Sequence, residues 1–313
     1  MNILITGHEG FIGNSLLKKL KTEENRIIGF GRGENLSRRK FLAQPDVFIK
    51  GEIRDEEKLK RVIADYEINE VYHFAAQSIV RTCANNPKST FDINVMGTVA
   101  LLEACRTSGP TVNSVVISTS DKAFGHGPIP YTEESPLKPL HAYETSKACQ
   151  QLASLCYFHN FGVPAKVVAC SNLYGPGDFN MTRIIPNTIT RLAKGKPALL
   201  NKGAASYVRE LVYIDDAVDA FITASRKGKN GEVYCCGGTE HLSIEKLIEK
   251  ICHIMEKDVK NNLQIFERPS QFKEIKEQYI DSTKLQSLGW KPKYSLDDGL
   301  KKTIEWYTNL SKK

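Results

Sequence analysis

No stretch of 18 apolar residues occurs in the 313-residue chain, which excludes a membrane-spanning helix of ordinary length. The opening MNILITGHEGFIG lacks the charged start and long apolar core of a secretory leader, so a cytoplasmic protein is expected. Eight cysteines are present, but none forms a CxxC pair and no histidines stand at zinc spacing. No metal site is expected, and the cysteines, mostly in apolar stretches, read as small buried hydrophobes in a reducing compartment. With 22 glycines and 13 prolines, the chain has too few of either for a collagen-like or low-complexity class. The net charge of +7 is scattered over short runs: Arg38 to Lys40, Lys301 with Lys302, and Lys312 with Lys313. Nothing resembles the clustered basic face or tail of a nucleic-acid binder, and the excess suits an anionic small molecule.

Apolar residues make up 41% of the chain and charged residues 25%, as in ordinary globular proteins, and the length allows two lobes. Short apolar runs at 2–6, 26–30, 47–49, 70–74, 114–118 and 165–170 predict strands. Apolar residues at helical spacing predict helices at 11–20, 56–66, 91–105 and 143–158. Such alternation implies an α/β fold, a Rossmann-type doubly wound parallel sheet with a smaller α/β C-terminal lobe. Residues 1–171 are expected to bind a dinucleotide, with a return segment near 209–236, and 172–313 mainly to bind substrate. Further helices are expected at 243–255 and 296–306.

Gly7, Gly10 and Gly13, with Phe11 and Ile12 between the last two, follow the first strand and open a helix. Glycine permits the positive φ and close backbone approach that a pyrophosphate needs, and the helix start adds free N–H groups. An NAD site usually places a carboxylate after the second strand. Here Gly31 is followed by Arg32, with Glu34 further on and then Ser37, Arg38 and Arg39. Arg32 suits a 2′-phosphate, so NADP is expected rather than NAD, although Glu34 could contact a ribose. Tyr143 and Lys147 stand one helical turn apart, a spacing at which an ammonium favours a phenolate that can act as base. Ser120, Asp121 and Lys122 present a hydroxyl, a carboxylate and an amine at a strand's C-terminal end, where open α/β sheets bind ligands. The plain alternative for Asp121 and Lys122 is a solvated ion pair in a turn. His73, closing a strand, is expected to pack or hydrogen-bond rather than catalyse.

Ordered motifs along nearly the whole chain carry a family resemblance: TGHEGFIG, GEIRD, HFAAQS, NVMGT, STSDKAFG, YETSK, SNLYGPGDFN, RELVYIDD and LGWKP. Together they resemble the extended short-chain dehydrogenases/reductases that act on nucleotide sugars. The resemblance implies Tyr143, Lys147 and Ser120 as catalytic residues. It puts Glu52 (where the family usually has Asp) and Ile53 beside the adenine, and Ala75 and Ala76 on the cofactor. It puts Gln77, Asn172, Arg183, Arg209 and Arg268 on the substrate, a nucleotide-diphosphate sugar. Epimerases of the family have no acid–base pair directly after the Ser/Thr, whereas 4,6-dehydratases do.

An Asp-Lys pair resembles the enzymes that dehydrate UDP-N-acetylglucosamine or CDP-glucose; dTDP-glucose enzymes usually carry Asp-Glu. The expected function is therefore an NADP-dependent 4,6-dehydratase making a 4-keto-6-deoxy sugar nucleotide, most simply from UDP-N-acetylglucosamine or a derivative. Tyr143 takes the C4 hydroxyl proton, Lys147 lowers its pKa and grips the nicotinamide ribose, and Ser120 orients the C4 oxygen. Asp121 is the acid at O6 and Lys122 the base at C5. The rivals are a CDP-glucose dehydratase, a C4 or C5 epimerase, an enzyme acting on a 5,6-ene, and a non-catalytic NADP-binding regulator. Helices 91–105 and 143–158 are apolar on more than one side, and family members commonly dimerise through this pair, so a homodimer is expected.

Overall fold

The computed structural model describes residues 1–21, 24–33, 41–267 and 274–311. The expectations placed on Glu34, Ser37, Arg38, Arg39, Lys40, Arg268, Lys312 and Lys313 lie outside these residues. The chain begins with β1 (Asn2–Thr6), α1 (Phe11–Leu20), β2 (Arg26–Gly31), β3 (Val47–Lys50), α2 (Glu56–Asp65) and β4 (Glu70–His73). It continues through α3 (Val80–Asn85), α4 (Pro87–Phe91), α5 (Gly97–Thr107), β5 (Ser114–Ser120), α6 (Ala142–Phe161) and β6 (Ala165–Cys170). Next come β7 (Asn172–Tyr174), α7 (Ile184–Ala193), β8 (Ala198–Asn201), β9 (Val208–Tyr213), α8 (Ile214–Lys227) and β10 (Val233–Cys236). The last elements are β11 (His241–Ser243), α9 (Ile244–Ile254), α10 (Val259–Asn262), β12 (Leu263–Phe266), β13 (Glu277–Gln278), α11 (Thr283–Ser287) and α12 (Leu296–Ser311).

Seven parallel strands form the main sheet in the order β10-β6-β5-β4-β1-β2-β3. Helices cover both faces, the Rossmann-type arrangement expected. Alternate residues of a strand face opposite sides, and the core divides accordingly. Leu4, Ile28, Val71 and Val115 pack in one cluster with Leu59 of α2 and Leu101 of α5. Ile3, Ile5, Ile27 and Val116 pack on the other face with Leu16 of α1 and Phe221 of α8. After β1 the chain runs outward to β3 and then returns to β4. The strand order reverses there, and a crevice opens at the carboxyl ends.

A smaller set of strands stands beside this sheet. β11 pairs antiparallel and β13 parallel with β9, β7 also pairs with β9, and β12 pairs with β8. Its core gathers Ile189 of α7, Ile248 of α9 and Leu300 of α12.

The helix expected over 91–105 starts earlier and is not continuous. Asn86 caps α4 by accepting from the Ser89 N–H, with Pro87 at the first helical position, where its missing N–H costs nothing. A π-helical turn over Asp92–Met96 then leads into α5.

His73 is 1% exposed and fully engaged. The Thr98 hydroxyl donates to the Asn94 carbonyl at 2.7 Å, so His73 Nε2 donates to Thr98 at 2.9 Å and Nδ1 accepts from Thr6 Oγ1 at 2.7 Å. That arrangement needs a neutral imidazole. Burial, and then the Lys147 charge, push its pKa down to about 3. In the unfolded chain the ring titrates near 6.5. Stability carried by the neutral ring is thus intact above that pH and is lost as pH falls toward the folded value, because only the unfolded state then takes up the proton. Between pH 7 and pH 5 this amounts to about 2 kcal/mol. Urea unfolding of His73→Gln should show a stability gap between the two pH values smaller by that amount, and an unchanged gap defeats the assignment.

Candidate active site

The loop between β1 and α1 is shaped by close backbone approaches. Gly7 has φ +71°, and a Cβ there would lie 2.7 Å from the Ala75 backbone nitrogen. A Cβ on Gly13 would lie 2.4 Å from the Gly7 carbonyl oxygen. Gly10 caps α1 without a side chain, so the first N–H groups of the helix carry no side-chain partner from the cap. This is the bare, positively polarised cradle that a pyrophosphate fits.

A cleft of about 640 Å³ runs across the carboxyl ends of the strands. Gly31, Arg32, Gly51, Glu52 and Ile53 line one end, and Gly7, Gly10, Phe11, Ile12, Gly13, Ala75 and Ala76 its middle. Ser120, Lys122, Tyr143 and Lys147 line it further along, with Gln77, Asn172 and Arg183. One cleft thus gathers the expected adenine and pyrophosphate residues with Ser120, Lys122, Tyr143, Lys147, Gln77, Asn172 and Arg183, while Asp121 is not among its lining residues, and a nicotinamide dinucleotide fits along it.

Ser120 is the last residue of β5 and donates from Oγ to Asp121 Oδ1 at 2.9 Å. Asp121 lies beneath it, 1% exposed, with Oδ2 unpartnered. This burial removes the solvated-pair alternative. It also pushes the Asp121 carboxyl up, against the Lys122 charge, the Ser120 bond and Arg209. For Lys122 burial pushes the ammonium down, Asp121 opposes, and Arg209 adds to the depression. Both shifts favour the neutral forms and bring the acid and the amine closer in proton affinity, which suits proton exchange with a substrate.

Tyr143 lies in the first turn of α6, whose start is fixed by the Glu144 carboxylate accepting from the Leu140 and His141 N–H groups at 3.1 and 3.4 Å. Lys147, one turn on, donates to the Ser118 carbonyl at 2.9 Å, and burial brings its pKa down to about 8. The phenol is pushed up to about 12 by burial, with Arg183 and a hydrogen bond to Ser120 opposing. The expected influence of Lys147 is therefore outweighed: enclosure dominates, and the lysine's amine is directed at a backbone carbonyl.

On the substrate side, Asn172 donates to the Glu210 carbonyl at 3.2 Å, and Arg183 pairs with Asp178 at 3.1 Å. The Gln77 backbone N–H donates to Asn94 Oδ1 at 2.7 Å, and Asn94 donates to Ser146 of α6 at 2.9 Å, tying the β4 exit to the catalytic helix. Arg209 stands apart from these residues. Its guanidinium donates to the carbonyls of Val208 and Lys276 at 2.8 and 3.1 Å, beside Asp121 and Lys122 and outside the cleft lining. Glu9 and Arg81 line the cleft without having been singled out. Glu9 lies inside the motif TGHEGFIG, which gave a signal that it flanks the site, whereas Arg81 lies beyond the end of HFAAQS and had no such signal.

The family described as GDP-mannose 4,6 dehydratase matches residues 4–303. The chain belongs to this family. It lies in the nucleotide-sugar dehydratase and epimerase branch of the extended short-chain dehydrogenases/reductases, as the motifs implied. Among similar family members is dTDP-glucose 4,6-dehydratase 1 of Escherichia coli, 30% identical, with 100% of this chain and 94% of that protein covered. A trifunctional UDP-glucose 4,6-dehydratase, 3,5-epimerase and reductase of Arabidopsis thaliana is 31% identical over 98% of this chain. The chain spans 47% of that plant protein, about half its length. Among solved structures, dTDP-glucose 4,6-dehydratase of Bacillus anthracis in complex with NAD matches with TM-score 0.88 at 30% identity, covering 100% of this chain and 98% of that one. UDP-glucose 4-epimerase of Thermotoga maritima with UDP-glucose matches with TM-score 0.90 at 27% identity, covering 99% and 100%. Among the described residues no helix is long and apolar enough to cross a membrane.

Proposed function

We propose that this protein is a 4,6-dehydratase of a nucleotide-diphosphate sugar, converting it to the 4-keto-6-deoxy form. The carrying observation is the buried Asp121 and the half-buried Lys122 directly after Ser120 at the end of β5. A 4-epimerase exchanges hydrogen at C4 alone, whereas elimination needs a base for the C5 proton and an acid for the departing C6 hydroxyl. The nicotinamide, when bound, supplies the reversible acceptor for the C4 hydrogen. The chain does the rest. Tyr143 takes the C4 hydroxyl proton, Ser120 orients that oxygen, Lys122 removes the C5 proton made acidic by the C4 carbonyl, and Asp121 protonates the leaving O6.

The Asp-Lys pair supports UDP-N-acetylglucosamine or a derivative as substrate, with CDP-glucose next. In this reading 1–171 with the return segment near 209–236 binds the cofactor, and 172–313 mainly binds the sugar nucleotide. The protein works in the cytoplasm, as a homodimer. Support for the dimer comes from α6, which buries Ser146, Gln150, Gln151 and Ser154 while leaving Leu152 57% and Phe161 54% exposed, and from Met96, 52% exposed in the π-helical turn. Purified protein given UDP-, CDP-, GDP- and dTDP-sugars should release water from one class, read by mass spectrometry. Inversion at C4 without water loss would replace this reading by an epimerase.

The finer cofactor reading is NADP, supported by Arg32 at the ribose end. An opposing group stands there: Glu9 Oε2 lies 3.7 Å from where a side chain on Gly31 would begin, close to the place of the usual strand-end acid. Arg32→Ala should lower the preference for NADP over NAD by about tenfold or more, and Glu9→Gln should raise it, in competitive binding titrations. Release of NAD(H) alone on denaturation, with Arg32→Ala unchanged, would replace NADP by NAD.

A further inference from the structure

We propose that Gln278 is the positioning residue for the Lys122 base, and that its neutral amide is what leaves the amine free to work. This deepens the dehydratase reading and rests on it. Gln278 lies 156 positions from Lys122, on the two-residue strand β13, where it pairs with Arg209 of β9. Its side chain is 0% exposed, and its Oε1 accepts from Lys122 Nζ at 2.9 Å. Its Nε2 is buried without a partner. A flipped amide would set that N–H group against an ammonium's donors or occupy the lone pair of the neutral amine. The amide thus leaves one donor unsatisfied in order to present its oxygen to Lys122, which marks the contact as directed at the lysine.

A neutral amine has two N–H donors and one lone pair. Anchoring one N–H on Gln278 fixes the nitrogen's orientation while Lys122 still lines the cleft, so the lone pair remains for the C5 proton. The choice of amide over carboxylate follows from the surrounding charges. Asp121 on its own turn, Glu144 of α6 and Glu274 ahead of β13 favour the ammonium, and Arg209 of β9 joins burial in opposing it. A further carboxylate in direct contact would hold the amine protonated. An amide oxygen gives the same geometry without a charge.

The test uses the full chain with UDP-N-acetylglucosamine, or with whichever nucleotide class loses water in the panel above. It follows deuterium entry at C5 in heavy water across pH, together with KM. Gln278→Glu keeps size and acceptor but adds charge. It should cut exchange at neutral pH by about tenfold or more and move the rising limb of the pH profile up by about one unit, with activity recovering at high pH. Gln278→Met removes the acceptor without adding charge. It should lower exchange about tenfold at every pH with no upward movement of that limb and with KM within about twofold. Should the Glu variant fail to fold, the Met variant decides alone, and wild-type exchange in it overturns the proposal. Wild-type exchange and profile in Gln278→Glu also overturn it. Absence of both exchange and water loss in the wild type overturns the dehydratase reading itself, whereas exchange in the wild type with unmoved variants removes only the role of Gln278.

Discussion

Asp121→Asn is expected to slow water loss by roughly 10²–10⁴-fold, the usual contribution of a positioned general acid. The substitution preserves shape and still accepts the Ser120 hydroxyl, so the local geometry is retained. It removes the proton. In the wild type burial raises the Asp121 pKa, so the protonated form persists to higher pH than for an exposed carboxyl. Lys122 is depressed and must be deprotonated to act. Elimination needs the acid protonated and the amine neutral, so its pH profile should be bell-shaped. Both limbs belong to the coupled pair rather than to either residue. In Asp121→Asn one limb should disappear, and deuterium should still enter C5 while O6 stays in place. Dehydration at the wild-type rate would remove Asp121 from the acid role.

Tyr143→Phe is expected to abolish turnover more completely, by about 10³-fold or more, because it stops the sequence at its first proton transfer. C5 exchange depends on the C4 carbonyl, so this variant should lose exchange as well as water loss. The two variants thus separate oxidation from elimination: one keeps exchange and the other loses it. The phenol's elevated pKa, about 12, has its own consequence. The phenolate is scarce at neutral pH, so the step draws on groups that favour it, here Arg183 and the Ser120 hydroxyl. Arg183→Ala should therefore reduce kcat as well as weaken binding. A pure KM effect would confine that arginine to binding.

Local signals read well wherever chemistry and chain proximity coincide. The runs 2–6 and 165–170 match β1 and β6 because central parallel strands are buried on both faces and read as unbroken apolar segments. Gly7, Gly10 and Gly13, or Tyr143 and Lys147, reveal their site because one turn or one helix fixes their relation. Arg209 did not reveal its place. The β9–β13 pairing brings the Lys276 carbonyl within reach of its guanidinium, a contact between distant segments that no local pattern announces. Gln278 gave no signal at all, since a two-residue strand has no readable period and its partner is 156 positions away. The early start of the helix expected at 91 was visible in Asn86 and Pro87, a capping pair that the apolar count passes over.

The late return of β10 to the main sheet sets an order of assembly. β6 is buried along its whole length, and β10 supplies its outer neighbour only at Val233–Cys236. A nascent chain that has emerged only as far as residue 171 therefore exposes the unpaired edge of an apolar strand, AKVVAC, a template for pairing with other chains. A fragment cut at that point should aggregate, whereas one ending after β10 and α11 carries its own edge cover. The seven-stranded sheet thus closes only once the chain has been synthesised beyond residue 236, well past the end of β6.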